Sequence, residues 1–190
     1  MTAPPEPDRR EEPITEREPI PLSAALTQHN TPEYRTLLSW PYADPFVSRM
    51  LRTDIRERFL SGDCQVWVYR DPDGQLVGFG VLDLEVYYTP AKPHPYIVLL
   101  AVNPTIKSLG YGTAIVNHLI GAATVLAADP TRCGDTLFLD VYTGNVKGIN
   151  LYIACGFAII DDEPIPDPAE AGKRYLVMSR SVAIEPTRAP

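Results

Sequence analysis

The sequence predicts a mixed α/β domain, a largely antiparallel sheet with helices packed on it. Three observations lead there. Two apolar-rich runs flank Asp71-Pro72-Asp73-Gly74, whose Asp, Pro and Gly suit a tight reversal, so residues 64–69 and 75–86 form an antiparallel hairpin. The apolar run Ile97-Val98-Leu99-Leu100-Ala101-Val102 precedes a helix-period run and then a strand at 135–142. Such a strand–helix–strand unit makes a right-handed crossover between parallel strands. A helix at 145–155, a strand at 157–160 and a closing strand at 174–182 complete a mixed sheet.

The elements follow in chain order. Residues 1–19 are rich in Pro, Glu and Arg and nearly free of large apolar side chains. Such a tail cannot bury enough surface to offset its ordering entropy and reads as disordered. The domain spans 20–182, with a short tail at 183–190. Ile20 to Thr27 is a weak first strand. Thr31-Pro32-Glu33 opens a helix, with Thr as cap and Pro in the first turn, running to about Ser39. Asp44-Pro45 opens a second, to about Leu60, striped by Phe46, Met50 or Leu51, Ile55 and Phe59. Tyr87 to Pro95 holds three prolines and reads as a loop. The run at 97–102 is apolar on both faces, as a buried strand should be, and Pro104 ends it. The helix starts near Ala114, with Ile115, Leu119, Ala122 and Leu126 as one stripe, and Asp129-Pro130 stops it. Asp161 to Gly172 is an acidic, proline-rich loop.

Composition narrows the function classes. A chain of 190 residues suits one domain with a substantial core. A net charge of −7 argues against a general binder of nucleic acid or acidic membrane. No apolar run is long enough to span a bilayer, and the N-terminus lacks an apolar signal core. Cys64, Cys133 and Cys155 are scattered and odd in number, which suggests a reducing, cytoplasmic setting and no metal site.

The chain is organised around Lys107-Ser108-Leu109-Gly110-Tyr111-Gly112-Thr113, between the central strand and its helix. The first amides of a helix lack partners within it, and its dipole adds partial positive charge. A phosphate or pyrophosphate fits that end. Gly110 and Gly112 let the backbone approach an anion, and Lys107 adds a cation; the same glycines also serve a plain tight turn. A P-loop needs Lys and Ser or Thr after its second glycine, but Thr113-Ala114 follow Gly112. A dinucleotide fingerprint needs a third glycine at position 115, which is Ile.

What remains resembles the acyl-CoA loop of the GNAT N-acetyltransferase family: Arg or Gln, two residues, Gly, one residue, Gly or Ala. Lys107 departs from it in the first place. A second stretch, Asn145-Val146-Lys147-Gly148-Ile149-Asn150-Leu151-Tyr152 ending in Cys155-Gly156-Phe157, resembles that family's second signature, with Gly148 where Ala is usual. Asn145 is also a natural helix N-cap, and Tyr152, about two turns on, can face the same groove.

The resemblance implies an acyl-CoA N-acyltransferase fold, whose central parallel strands, 96–102 and 136–142, splay apart. It implies acetyl-CoA as cosubstrate and no metal. Pantetheine would bond the backbone near Leu100, Ala101 and Val102. The pyrophosphate would sit on the amides of Leu109, Gly110, Tyr111, Gly112 and Thr113, with Lys107, Ser108 and Asn145 also among the cofactor-binding residues. Tyr152 would protonate the departing thiolate, and a strand N–H would meet the oxyanion. The acceptor would be a small-molecule or peptide amine attacking directly, with neither nucleic acid nor membrane as partner; a homodimer is compatible with this. The central strand carries no carboxylate, so Asp83, Glu85, Asp140 and His94 are the candidate bases. His118 and His29 read as structural. Trp40, Tyr42, Tyr87 and Tyr88 either line an acceptor pocket or cap the core. Specificity should come from 28–60, 87–95 and 161–173. The competing readings are a non-catalytic acyl-CoA-binding or regulatory domain and an interaction module docking through its tail.

Overall fold

The computed structural model describes residues 20–21, 32–42, 45–53, 64–85, 92–106, 110–161, 163–168 and 170–183. Its elements are β1 (Ile20–Pro21), α1 (Pro32–Ser39), α2 (Pro45–Arg52), β2 (Cys64–Arg70), β3 (Leu76–Glu85), β4 (His94–Val102), α3 (Tyr111–Ala127), β5 (Thr136–Tyr142), α4 (Val146–Ala154), β6 (Ala158–Ile159), β7 (Ile165–Pro166) and β8 (Arg174–Ser181). The strands form one eight-stranded sheet in the order β1-β2-β3-β4-β5-β8-β6, with β7 on β8. Every pairing is antiparallel except β4 with β5.

The hairpin turn closes as its residues dictate. Gly74 takes φ 83°, its N–H donates to the Asp71 carbonyl, and Gln75 N–H donates to Asp71 Oδ1. Alternation then sends successive side chains to opposite faces of the sheet. Val66, Val68, Phe79, Val81, Leu99 and Ala101 pack with Tyr34, Leu37, Trp40, Met50 and Leu51 of the first two helices and their link. Trp67, Leu82, Ile97, Leu137 and Leu139 pack with Ile115, Val116, Leu119 and Ala123 of α3 and Tyr152 of α4. The sheet is thus buried on both faces, which explains its near-continuous apolar strands.

Two glycines in β3 set how close α3 comes. A Cβ at Gly80 would stand 2.9 Å from Leu119 Cδ1, and one at Gly78 would overlap Ile115 Cδ1. The helix therefore seats its stripe directly on strand backbone, and a larger residue at either position would overpack the core.

Several sequence expectations shift. β4 starts at His94, inside the expected loop, and Pro95 pairs with Leu84. The helix after the glycine pair starts at Tyr111, three residues before Ala114, so Gly112 lies in its first turn. The loop 161–172 contains β7, whose Ile165 pairs with Tyr175 of β8. α2 is described to Arg52; the expected extension to Leu60 lies outside the described residues, as do 1–19, most of the first strand, Thr31, His29, Glu85's side chain, Tyr87, Tyr88 and 107–109.

Candidate active site

The two central strands pair through Tyr96 with Phe138 and Ile97 with Leu139. Past that point β4 runs on to Val102 and β5 to Tyr142 without further pairing. On its other side β4 slips by one residue between Val81/Leu99 and Leu82/Ile97, which leaves Val98 as a bulge. A bulge bends its strand and frees a backbone group from the ladder. Bulge and parting coincide, and a cleft of about 820 Å³ opens there.

One wall is β4, with Tyr96, Ile97, Leu99 and Leu100; the facing wall is β5, with Asp140, Val141 and Tyr142. Asn145 and Tyr152 of the α4 segment line the same cleft, as their two-turn spacing predicts. Asn145 Oδ1 accepts from Gly148 N–H at 3.0 Å, the expected cap. Gly148 is what admits it: a Cβ there would lie 2.6 Å from Asn145 Nδ2. Tyr152 is 9% exposed, with its ring edge-on to Phe157 at 5.9 Å. Burial, and secondarily the nearby Cys155 thiol, pushes its hydroxyl pKa up to about 12.

Gly110 to Thr113 are not among the residues that line the cleft. Gly110 precedes α3 with φ 77°, a left-handed conformation, and a Cβ there would meet nothing within 4 Å. Gly112 sits between α4 and the end of β4: a Cβ would be 3.2 Å from Leu151 Cδ2 and 3.8 Å from Val102 Cγ2. The amides of Tyr111 to Thr113 begin α3 beside the end of β4. Lys107, Ser108 and Leu109 lie outside the described residues. Ala101 is buried in the core beneath α1, so its part in any ligand contact is limited to its backbone.

The family model described as the acetyltransferase (GNAT) family matches residues 25–157. The chain belongs to the GNAT acetyltransferase family. It is an acyltransferase, and its mixed sheet with one parted parallel pair is the GNAT fold. A Desulfovibrio desulfuricans protein described as a GNAT-family acetyltransferase is 17% identical with a TM-score of 0.61, over 88% of this chain and 97% of that one. A Bacillus subtilis acetyltransferase solved in complex with CoA is 21% identical with a TM-score of 0.55, over 80% and 93%. The ribosomal-protein-S18-alanine N-acetyltransferase from Escherichia coli is 18% identical with a TM-score of 0.51, over 71% and 81%. No curated protein sequence matches the chain.

Of the candidate bases in this acetyltransferase, Asp140 lines the cleft. Asp83 is 4% exposed on β3, where its Oδ1 accepts from Leu84 N–H, away from the cleft wall. His94 packs edge-on to Phe138 and presses on Gly134, also away from it. His118 is structural: its Nδ1 lies 2.9 Å from Tyr69 Oη, and its ring sits edge-on to Trp67 and Tyr69. Trp40 and Tyr42 cap the core with rings 6.0 Å apart and do not line the cleft. Sequence reasoning missed Phe46 of α2, Tyr142, Tyr175, Asp167, Gly172, Lys173 and Arg174 as individual cleft residues, although the regions named for specificity contain several of them. Period-two alternation from Asp140 would have found Tyr142. Among the described residues no His, Cys, Asp and Glu cluster could hold a metal, and no helix is long and apolar enough to cross a membrane.

Proposed function

We propose that this acetyltransferase moves an acetyl group from acetyl-CoA to a primary amine by direct attack. The observation that carries the reading is the cleft between the parted strands, with Asp140 on one wall and Tyr152 at its side. A thioester arm threaded between β4 and β5 would satisfy backbone groups that the parting leaves unpaired. Its diphosphate would rest on the first amides of α3, where Gly110 leaves open space.

Each residue then has a task. The attacking amine must be neutral, and an alkylamine is mostly protonated near neutral pH. Asp140 accepts that proton, directly or through water. The nitrogen attacks the carbonyl carbon, and the oxyanion is met by a backbone N–H near the Val98 bulge, fixed in place before charge develops. As the intermediate collapses the C–S bond breaks and Tyr152 gives its proton to the leaving sulfur; the nitrogen, positively charged since its attack, gives its extra proton to the Tyr152 oxygen through water, which restores the phenol and leaves a neutral amide. The raised pKa keeps Tyr152 protonated at working pH. The thiolate is desolvated in the same cleft, which raises its proton affinity too, so the transfer is not set by solution values.

Incubation with acetyl-CoA and a panel of primary amines, read as free thiol, tests the reading. Amine-dependent thiol release is expected. Tight CoA binding with no release above hydrolysis from any amine would reduce the chain to an acyl-CoA-binding domain.

A further inference from the structure

The cleft wall around Tyr142 holds an arrangement that acetyl transfer alone does not use. Lys173 places its ammonium 4.6 Å from the centroid of the Tyr142 ring. The same Nζ lies 2.6 Å from Glu170 Oε2, and Glu170 Oε1 accepts from Arg49 Nη2 at 2.9 Å. Tyr142 is fixed from two other sides. Its hydroxyl donates to Asp167 Oδ2 at 2.5 Å, and Phe46 stands edge-on to it at 5.7 Å. Donation to a carboxylate leaves the ring more electron-rich, and an electron-rich face attracts cations.

We infer that the face of Tyr142, with Glu170 beside it, is a subsite for the non-reacting ammonium of an unbranched diamine acceptor, and that Lys173 fills it until such an acceptor arrives. The inference rests on the acetyl-transfer reading above. A ring face and a carboxylate favour the charged form of an amine, so this is no place for the attacking nitrogen, which must be neutral. Asp140, the proposed base, stands two residues earlier on β5. The two side chains therefore share a strand face, with their Cα atoms about 7 Å apart. A short unbranched diamine such as putrescine or cadaverine is on that scale. An acceptor carboxylate on the same ring face would meet the negative face of the ring and stand near Asp140 and Asp167, with Arg174 as the cation left on the cleft wall once Lys173 has moved. Lys173 is held in a way that permits exchange: its side chain is 36% exposed, and partly exposed ion pairs are weak.

The test compares cadaverine with pentylamine, which has the same chain and lacks the second nitrogen. The expected kcat/KM is about tenfold or more higher for cadaverine, as a cation held on a partly desolvated ring implies. Tyr142→Phe should keep most of that preference, and Tyr142→Leu should bring it near one. Two variants at partly exposed positions guard against a folding defect. Glu170→Gln should weaken the preference, and Lys173→Met should lower the KM for cadaverine by a larger factor than the KM for pentylamine. Equal use of the two amines, a preference that survives Tyr142→Leu, turnover of neither amine, or better use of an amino acid of matched length would overturn the inference. Calorimetry with CoA separates the two levels. A protein that binds CoA and acetylates pentylamine equally well loses the diamine subsite and keeps acetyl transfer; one that ignores CoA loses both.

Discussion

Ile97 stands opposite Leu139, and this is the last pair through which the two central strands bond. Beyond it, alternate backbone groups of Leu99 to Val102 face a gap and not a neighbouring strand. Buried amides without partners are costly, so a ligand with its own amides is the natural filler. Adding CoA should slow hydrogen exchange at alternate amides of 99–102 by about tenfold or more. Amides joining β2 to β3 should be unaffected. Unchanged exchange along β4 would remove the cofactor from the gap.

Gly110→Asp should abolish acetyl-CoA binding. Asp tolerates the left-handed φ of 77° better than most residues, and its side chain would enter open space, so the fold should survive. The new carboxylate would face the diphosphate at the start of α3. A Kd at least about 100-fold weaker by calorimetry is expected, against a few-fold for Gly110→Ala, which adds strain without charge. Similar affinities for all three proteins would place the diphosphate elsewhere.

Tyr152→Phe keeps the ring packed on Phe157 and removes the hydroxyl alone. The turnover rate should fall by about 100-fold, in the range for losing a positioned acid, while CoA affinity changes little. With its pKa near 12, Tyr152 should also cause no fall in the native rate between about pH 8 and 10. An equal rate in the variant takes Tyr152 out of the proton path.

The architecture was legible in the sequence wherever local chemistry dictates geometry. Asp71 to Gly74 name their own turn, Asn145 names its cap, and the stripe Ile115–Leu119 names its helix. Those signals span a few residues and do not depend on distant partners. Boundaries slipped where tertiary pairing decided: Pro95 joins β4 because Leu84 lies opposite, and Ile165 joins β7 because Tyr175 does. Parting of the central strands was expected only through resemblance, since no residue of 96–102 announces the Val98 bulge. The cleft wall around Tyr142 was the least legible. Phe46, Tyr142 and Lys173 come together from α2, β5 and the loop before β8, and no spacing along the chain relates them.

Asp140→Asn separates base from scaffold. Asn keeps the shape and loses the proton acceptor, so near neutral pH the rate should drop by about 100-fold. Raising the pH supplies neutral amine directly, so the variant should recover toward the native rate as the amine deprotonates near its pKa of about 10. A uniform loss at every pH would mean that Asp140 only positions the acceptor. No loss at all would remove it from the mechanism.

Alkaline unfolding should report the buried phenols. Tyr152 titrates near its ordinary 10.0 in the unfolded chain and at about 12 in the folded one, chiefly because burial disfavours the phenolate. Between those values the unfolded chain has lost a proton that the native state retains. Stability therefore falls as pH rises through that window. The contribution is complete below about pH 10, is gone by about pH 12, and amounts to about 3 kcal/mol at most. Burial shifts Tyr42 and Tyr69 the same way, which steepens the decline. Urea midpoints across the window should drop steadily in the native protein. Phe cannot ionise, so Tyr152→Phe should flatten that slope by about one proton's share. Identical slopes for the two proteins would mean that Tyr152 meets solvent more freely than its place beside Phe157 implies.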